Sequence, residues 1–220
     1  MRFVITAGPT REHLDPVRFL SNPSTGKMGF SIAAEAARRG HGVTLVAGPV
    51  SLRTPKGVRR LDVVSAREML ARCRECLKEE PGDDVVFIST AAVADWRPAT
   101  RAGRKLKKAR MPGTLRLVRN PDILKTVSRL ARRSRPSAPP RLTLVGFAAE
   151  TGDVLAEAAR KCREKGLAFI VANDVLEKGC GFGTDTNRVT LVFPDGTQKR
   201  LPLMTKRRVA KRILDEVSGL

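Results

Sequence analysis

The chain has 220 residues and 41% hydrophobic content, enough apolar material for one core or a core with an appendage. It carries 42 Lys and Arg against 22 Asp and Glu, a net charge of +20, so a polyphosphate, a membrane surface or a nucleic acid would each suit its field. Aromatics are 4% with no Tyr, which supplies a base-stacking platform poorly, and no stretch has the length of a membrane span or a signal-peptide layout, so a soluble, cytoplasmic protein is expected.

Arg2–Ala7 is an apolar, β-branched run ending at Gly8-Pro9-Thr10, which reads as a buried central strand and a turn. Residues 11–20, with Pro16 among them, read as a loop. The stretch 21–29, S-N-P-S-T-G-K-M-G, opens onto a helix over 27–39 that stops at Gly40. Such a turn presents unpaired backbone N–H groups and the positive end of the helix dipole, a seat for a phosphate. The same composition also serves as a plain helix cap. Gly42–Ala47 is a second strand, and strand–helix–strand implies a right-handed parallel crossover.

Residues 58–64 hold a third strand. Ser65 caps a helix over Ala66–Lys78, with Glu68 completing a capping box. Cys73 and Cys76 form a C-x-x-C inside that helix. Cys162 and Cys180 do not supply a second pair at zinc spacing, so all four read as ordinary thiols. Residues 84–89 form a fourth strand, apolar as parallel strands are. Residues 90–94 are small and neutral and lie at its carboxyl end, where open α/β sheets place ligands.

Residues 95–119 are basic, contain Pro98, Gly103, Pro112 and Gly113, and read as a projecting arm. Asn120 reads as the cap of a helix beginning Pro121-Asp122-Ile123. A Pro/Ser loop over 134–140, a strand over 142–148, a helix over Val154–Lys165 ended by Gly166, and a strand over 168–172 follow. Pro194-Asp195-Gly196 marks a hairpin between 188–193 and 197–201. An amphipathic helix over 205–217 closes the chain. The alternation predicts an α/β fold: one doubly wound, mainly parallel sheet in a single domain over 1–220, with the arm and the terminal hairpin and helix as additions.

G-x-G-x-x-G does not follow the first strand, so the dinucleotide fingerprint is missing. Gly26-Lys27 approaches a P-loop, but Ser21 stands where the first Gly belongs and Met28 where the metal-binding hydroxyl belongs. H-E-x-x-H and G-x-S-x-G are absent, and His13 and His41 are isolated. Three groups are suited to an anionic substrate: Asn22 with the turn 24–26, the run Lys105-Leu106-Lys107-Lys108, and Lys161 with Lys165. Two lysines at i,i+4 repel each other unless an anion lies against them. Each group is also explained as solvated surface.

Ile5-Thr6-Ala7-Gly8-Pro9-Thr10-Arg11-Glu12, Asp15-Pro16-Val17-Arg18 and Ser21-Asn22 through Lys27-Met28-Gly29 together resemble the amino-terminal signature of the phosphopantothenate–cysteine ligases, or phosphopantothenoylcysteine synthetases. The likeness continues through Ala91-Ala92-Val93-Ala94-Asp95-Trp96, Lys105-Leu106-Lys107-Lys108, Asn120-Pro121-Asp122-Ile123, Val145-Gly146-Phe147-Ala148-Ala149-Glu150-Thr151, Ala172-Asn173-Asp174 and Phe182-Gly183-Thr184-Asp185-Thr186-Asn187. It covers nearly the whole chain, in order.

The resemblance implies a Rossmann-like three-layer α/β/α sandwich and a homodimer whose arms help build each other's sites. It implies a reaction of coenzyme A biosynthesis: joining 4'-phosphopantothenate to L-cysteine with CTP and Mg2+, through an acyl-cytidylate, with release of CMP and pyrophosphate. Many bacteria fuse this ligase behind a flavin-dependent decarboxylase. With nothing ahead of Met1, a free-standing ligase with a separate decarboxylase as pathway neighbour is expected.

By position, the resemblance assigns CTP to Asp95, Lys105, Pro121, Asp122, Ile123, Leu124, Phe147, Lys161 and Lys165. It assigns the substrate to Asn22, Ser24, Thr25, Gly26 and Ala92, and the chemistry to Asn22 and Lys105. No metal ligand is assigned. Pro23, Thr25 and Trp96 depart from the usual pattern without removing a functional group. No membrane or nucleic-acid partner is expected. The rival readings are a flavin or nicotinamide oxidoreductase on the same fold, which would lack its fingerprint, and a basic nucleic-acid-binding module, which rests on net charge alone.

Overall fold

The computed structural model describes residues 1–78, 84–108, 113–134, 142–150 and 154–220. Its centre is the strand β1, Arg2–Ala7, in which Phe3, Ile5 and Ala7 face one side of the sheet and Val4 the other. That period of two lets a strand buried on both faces feed two cores.

The short strands β2 (Arg11–His13) and β3 (Phe19–Ser21) follow, then the helix α1 (Lys27–Arg38), β4 (Gly42–Ala47), β5 (Val58–Asp62), α2 (Ala66–Lys78) and β6 (Val85–Ser89). β7 (Trp96–Pro98) and β8 (Leu117–Arg119) form the base of the arm. After α3 (Ile123–Ser134), β9 (Leu142–Glu150), α4 (Val154–Lys165) and β10 (Phe169–Asp174) come β11 (Thr186–Asn187), β12 (Thr190–Val192), β13 (Gln198–Arg200), β14 (Met204–Thr205) and α5 (Lys206–Ser218).

The main sheet runs β13-β12-β10-β9-β6-β1-β4-β5. The run from β10 to β5 is parallel, and β12 and β13 are antiparallel additions. α1 and α5 cover one face through Phe30, Ile32, Val209 and Ile213. α2, α3 and α4 cover the other through Met69, Val127 and Ala158. This is the expected Rossmann-like sandwich. The connections diverge at β1, toward β4 on one side and β6 on the other, so the carboxyl ends of β1 and β6 frame the switch-point crevice of such a sheet.

Two local expectations are corrected. Residues 11–20 are not wholly loop, because β2 and β3 pair in an antiparallel hairpin around Asp15, whose Oδ1 accepts from the Val17 and Arg18 N–H groups at 2.8 Å each. Asn120 does not cap α3. Asp122 does, accepting from the Lys125 N–H at 2.9 Å, while Asn120 donates to the Ala94 carbonyl at 2.7 Å and ties the arm's base to the strand end. Pro121 therefore precedes the cap and is not the first helical residue. The Ser65–Glu68 box at α2 forms, with Glu68 reaching back to the Val64 N–H.

All four cysteines are buried free thiols, and burial pushes Cys73 and Cys162 upward, Cys162 to about 11. Among the described residues no helix is long and apolar enough to cross a membrane. Arm residues 109–112, most of the predicted 134–140 loop, and Thr151 lie outside the described residues.

Candidate active site

A cleft of about 550 Å³ lies at the carboxyl edge of the sheet. Its floor comes from Ser89 and the small residues Thr90–Ala94 after β6, its sides from the first turn of α1, the start of α3, and the ends of β9 and β10. The packing that brings α1 this close is specific. A Cβ on Gly29 would lie 2.4 Å from Thr90 Oγ1 and 2.6 Å from Ala7 Cβ, so only glycine lets the helix start against β1.

Gly26 precedes α1 with φ 78°, in the left-handed region, and gives the helix no side-chain cap. The first-turn N–H groups of Lys27, Met28 and Gly29 have no helical partner, and these residues line the cleft with Gly26. The positive end of the helix dipole thus meets the cleft. Ser24 Oγ accepts from the Gly26 N–H at 3.4 Å. Asn22 Nδ2 donates to the Ala92 carbonyl at 3.1 Å, which fixes its carboxamide beside the floor.

The opposite side holds Asp95, Asn120, Pro121, Asp122, Ile123, Leu124, Phe147 and Lys165. Asp95 is exposed and its carboxylate has no hydrogen-bond or ion-pair partner among the described residues. Lys165 Nζ pairs with Asp122 Oδ2 at 2.7 Å. Burial works against the Asp122 charge, but the Lys165 contact and the Lys125 N–H outweigh it and hold the carboxyl below its usual range.

The remaining wall is the turn Gly181–Thr184, wrapped around two ammonium groups. Lys206 Nζ donates to the carbonyls of Gly181, Phe182 and Thr184 at 3.2, 3.3 and 2.6 Å. Lys27 Nζ donates to the Gly183 carbonyl at 2.9 Å and pairs with Asp185 at 2.7 Å. Thr25 Oγ1 donates to the Phe182 carbonyl at 2.7 Å. Lys206 is only 6% exposed. Burial first, and the nearby Lys27 charge second, lower its pKa, with Asp185 acting in the other direction.

The cleft therefore gathers Asn22, Ser24, Gly26, Ala92, Asp95, Pro121, Asp122, Ile123, Leu124, Phe147 and Lys165. It does not gather Thr25, Lys105 or Lys161. Thr25 braces the 181–184 turn from behind. Lys161 lies 3.3 Å from Glu157 on its own helix. The lysine pair on α4 thus meets its anions within the chain, Asp122 and Glu157, and needs no ligand for that. Lys105 is exposed on the arm. Lys27, Asn173, Asn187 and Lys206 also line the cleft and were not among the expected site residues. For Lys27 the signal was its place in the Gly-Lys turn. For Lys206 there was none, since a lysine opening an amphipathic helix reads as solvated.

Fold and cleft define a Rossmann-like α/β protein whose polar crevice is bordered by lysines and a helix amino terminus, an arrangement suited to a phosphate-bearing ligand. The sequence pattern of one family, described as the DNA/pantothenate metabolism flavoprotein C-terminal domain, matches residues 1–220, and the chain belongs to that family.

The coenzyme A biosynthesis bifunctional protein CoaBC of Escherichia coli (strain K12) is 48% identical over 220 residues, 99% of this chain and 51% of that protein. The protein of the same name from Vibrio vulnificus (strain YJ016) is 46% identical over 219 residues, 99% of this chain and 52% of that protein. The chain spans about half the length of these curated relatives. A crystal structure of the C-terminal domain of a CoaBC protein superposes with a TM-score of 0.78 at 40% identity, covering 98% of this chain and 93% of that one. A Cab2 mutant in complex with phosphopantothenate-cysteine superposes with a TM-score of 0.75 at 17% identity, covering 99% of this chain and 87% of that one, a likeness of fold alone.

Proposed function

We propose that the chain is a phosphopantothenate–cysteine ligase of coenzyme A biosynthesis, using CTP and passing through an acyl-cytidylate. The observation that carries this reading is the convergence of Asn22, Ala92, Asp95, Pro121–Leu124 and Phe147 on one cleft, in a chain similar along its whole length to the C-terminal half of CoaBC proteins.

A carboxylate does not condense with an amine in water, because its oxygen is a poor leaving group. In the proposed first step the phosphopantothenate carboxylate attacks the α-phosphorus of CTP, the bond to the bridging oxygen breaks, and pyrophosphate leaves. Negative charge gathers on non-bridging oxygens, where fixed N–H groups and ammonium groups lower the barrier. The α1 amino terminus and Lys165 line the cleft and suit such charge, and Lys105 would reach it from an arm. In the second step the cysteine amine attacks the acyl carbonyl and CMP leaves. Asn22 has a second amide hydrogen beyond the one given to Ala92, suited to the oxygen that takes up charge.

Among the described residues no three His, Cys, Asp or Glu gather as a metal site. The residues fit a Mg2+ carried on the nucleotide and met by one carboxylate, Asp95, since Asp122 is occupied by Lys165. Bound there, Mg2+ would screen charge on the phosphates.

The test is incubation with 4'-phosphopantothenate, L-cysteine and each nucleoside triphosphate in turn, with products resolved by mass. Phosphopantothenoylcysteine and CMP should appear with CTP. Product with ATP alone would overturn the choice of nucleotide, and no product with any of them would overturn the ligase reading.

A further inference from the structure

One ion pair holds both backbone polar groups of Leu106, the residue after Lys105. The Leu106 N–H donates to Asp15 Oδ2 at 3.1 Å, and its carbonyl accepts from Arg18 Nη2 at 2.9 Å. The same Nη2 donates to Asp15 Oδ2 at 2.6 Å. Four residues earlier, the Ala102 N–H donates to the Leu14 carbonyl at 2.8 Å.

The Asp15 side chain is fully buried, whereas that of Arg18 is 36% exposed. An aspartate that only closes a turn needs one oxygen, and here Oδ1 does that work for Val17 and Arg18. Keeping the whole carboxylate out of water requires that the second oxygen be paired too. It is paired to Arg18 and to the arm. The Arg18 contact, with the backbone N–H groups of Val17, Arg18 and Leu106, holds the carboxyl far below its usual range despite burial.

The β7–β8 ladder ends at the Ala99 N–H to Arg116 carbonyl bond. Among the described arm residues beyond that point, the backbone bonds run to the Leu14–Arg18 turn. A lysine carries its ammonium on four rotatable bonds, so the site of that charge is set by where its backbone is pinned.

We propose that Asp15 is a positioning residue for Lys105: through Leu106 it pins the arm where that ammonium serves nucleotidyl transfer. The proposal rests on the ligase reading and on Lys105 acting in its first step, and it holds whichever subunit's cleft the arm serves.

The variant Asp15→Asn keeps the side chain's shape but, when Oδ1 closes the turn, sets an amide donor against three donors, Arg18 Nε and Nη2 and the Leu106 N–H. Leu106→Pro deletes the one N–H and leaves the Asp15–Arg18 pair intact, which covers the case of a misfolded Asp15→Asn. Both should slow pyrophosphate release at saturating substrates by roughly ten- to a hundredfold, as misplacement of a reacting group by an ångström does. Both should also raise hydrogen exchange in 102–106. Coupling of cysteine to preformed acyl-cytidylate should stay within about twofold, since a group acting in one step affects that step alone. A purely structural role would slow both steps in proportion to the folded fraction, and that result overturns the proposal. If Lys105→Ala releases pyrophosphate at the full rate, the assignment of Lys105 is wrong and the proposal falls with it. If Lys105→Ala is inactive while Asp15→Asn and Leu106→Pro release normally, only the clamp is wrong.

Discussion

Asn22 and Lys105 differ in what the single chain does with them. Asn22 sits beside the cleft floor, one amide hydrogen committed to Ala92. Its replacement by Ala should leave cytidylate formation intact and slow cysteine coupling by roughly two to three orders of magnitude, the usual loss for an oxyanion donor. Rapid-quench separation of the two steps measures this, and an unchanged second step removes Asn22 from the role. Lys105→Ala should instead abolish phosphopantothenate-dependent pyrophosphate release. The residues on which the resemblance rests are mostly short-range motifs, and most of those assigned to ligands do meet in one cleft. Lys206 was illegible for a physical reason. Its burial comes from carbonyls of a turn over twenty residues earlier, and no local pattern distinguishes it from its exposed neighbours Arg207 and Arg208.

Among elements, the turn Gly181–Thr184 depends on distant partners. Its carbonyls converge on Lys206 and Lys27, and Thr184 Oγ1 adds a bond to the Gly181 carbonyl at 2.8 Å. Lys206→Met keeps the apolar stem and removes the donor to the Thr184 carbonyl, while the Gly181 and Phe182 carbonyls keep bonds from Thr184 Oγ1 and Thr25 Oγ1. A buried acceptor left unpaired costs about 1–3 kcal/mol, and the Thr184 carbonyl is part-buried, so denaturant unfolding should show a loss of about 1 kcal/mol. Because Gly181 and Phe182 line the cleft, the KM for nucleotide should rise as well. Unchanged stability and unchanged KM together would show the turn to be held by other contacts. The long parallel strands and the helices were legible because each carries enough residues to show a period. The β2–β3 hairpin was not: its strands have three residues each and Pro16 stands between them. The cap of α3 was misread because Asn120 and Asp122 both suit it, and only the arm's demand on Asn120 decides between them.

At the scale of the molecule, four of the exposed large apolar side chains fall on two neighbouring elements. Val17 and Phe19 on the first hairpin, and Trp96 and Leu117 at the arm's base, are 56%, 39%, 45% and 40% exposed, and β2 packs beside β7. Exposed apolar residues on neighbouring elements suit a self-complementary interface, and a two-fold pair is the commonest such assembly. The position of Lys105 points the same way. It is exposed and does not line the cleft of its own chain, an arrangement that suits delivery from a second copy. Sedimentation should then show a dimer. Mixing gives a sharper measurement. In a heterodimer of Asn22→Ala and Lys105→Ala chains, an arm acting in trans leaves one cleft with both groups intact. Two inactive preparations, dissociated and reassociated in equal amounts, should regain about a quarter of the normal rate, because half of the random pairs are mixed and one of two sites in each is whole. An arm acting in cis gives no recovery, because every cleft then lacks one of the two groups.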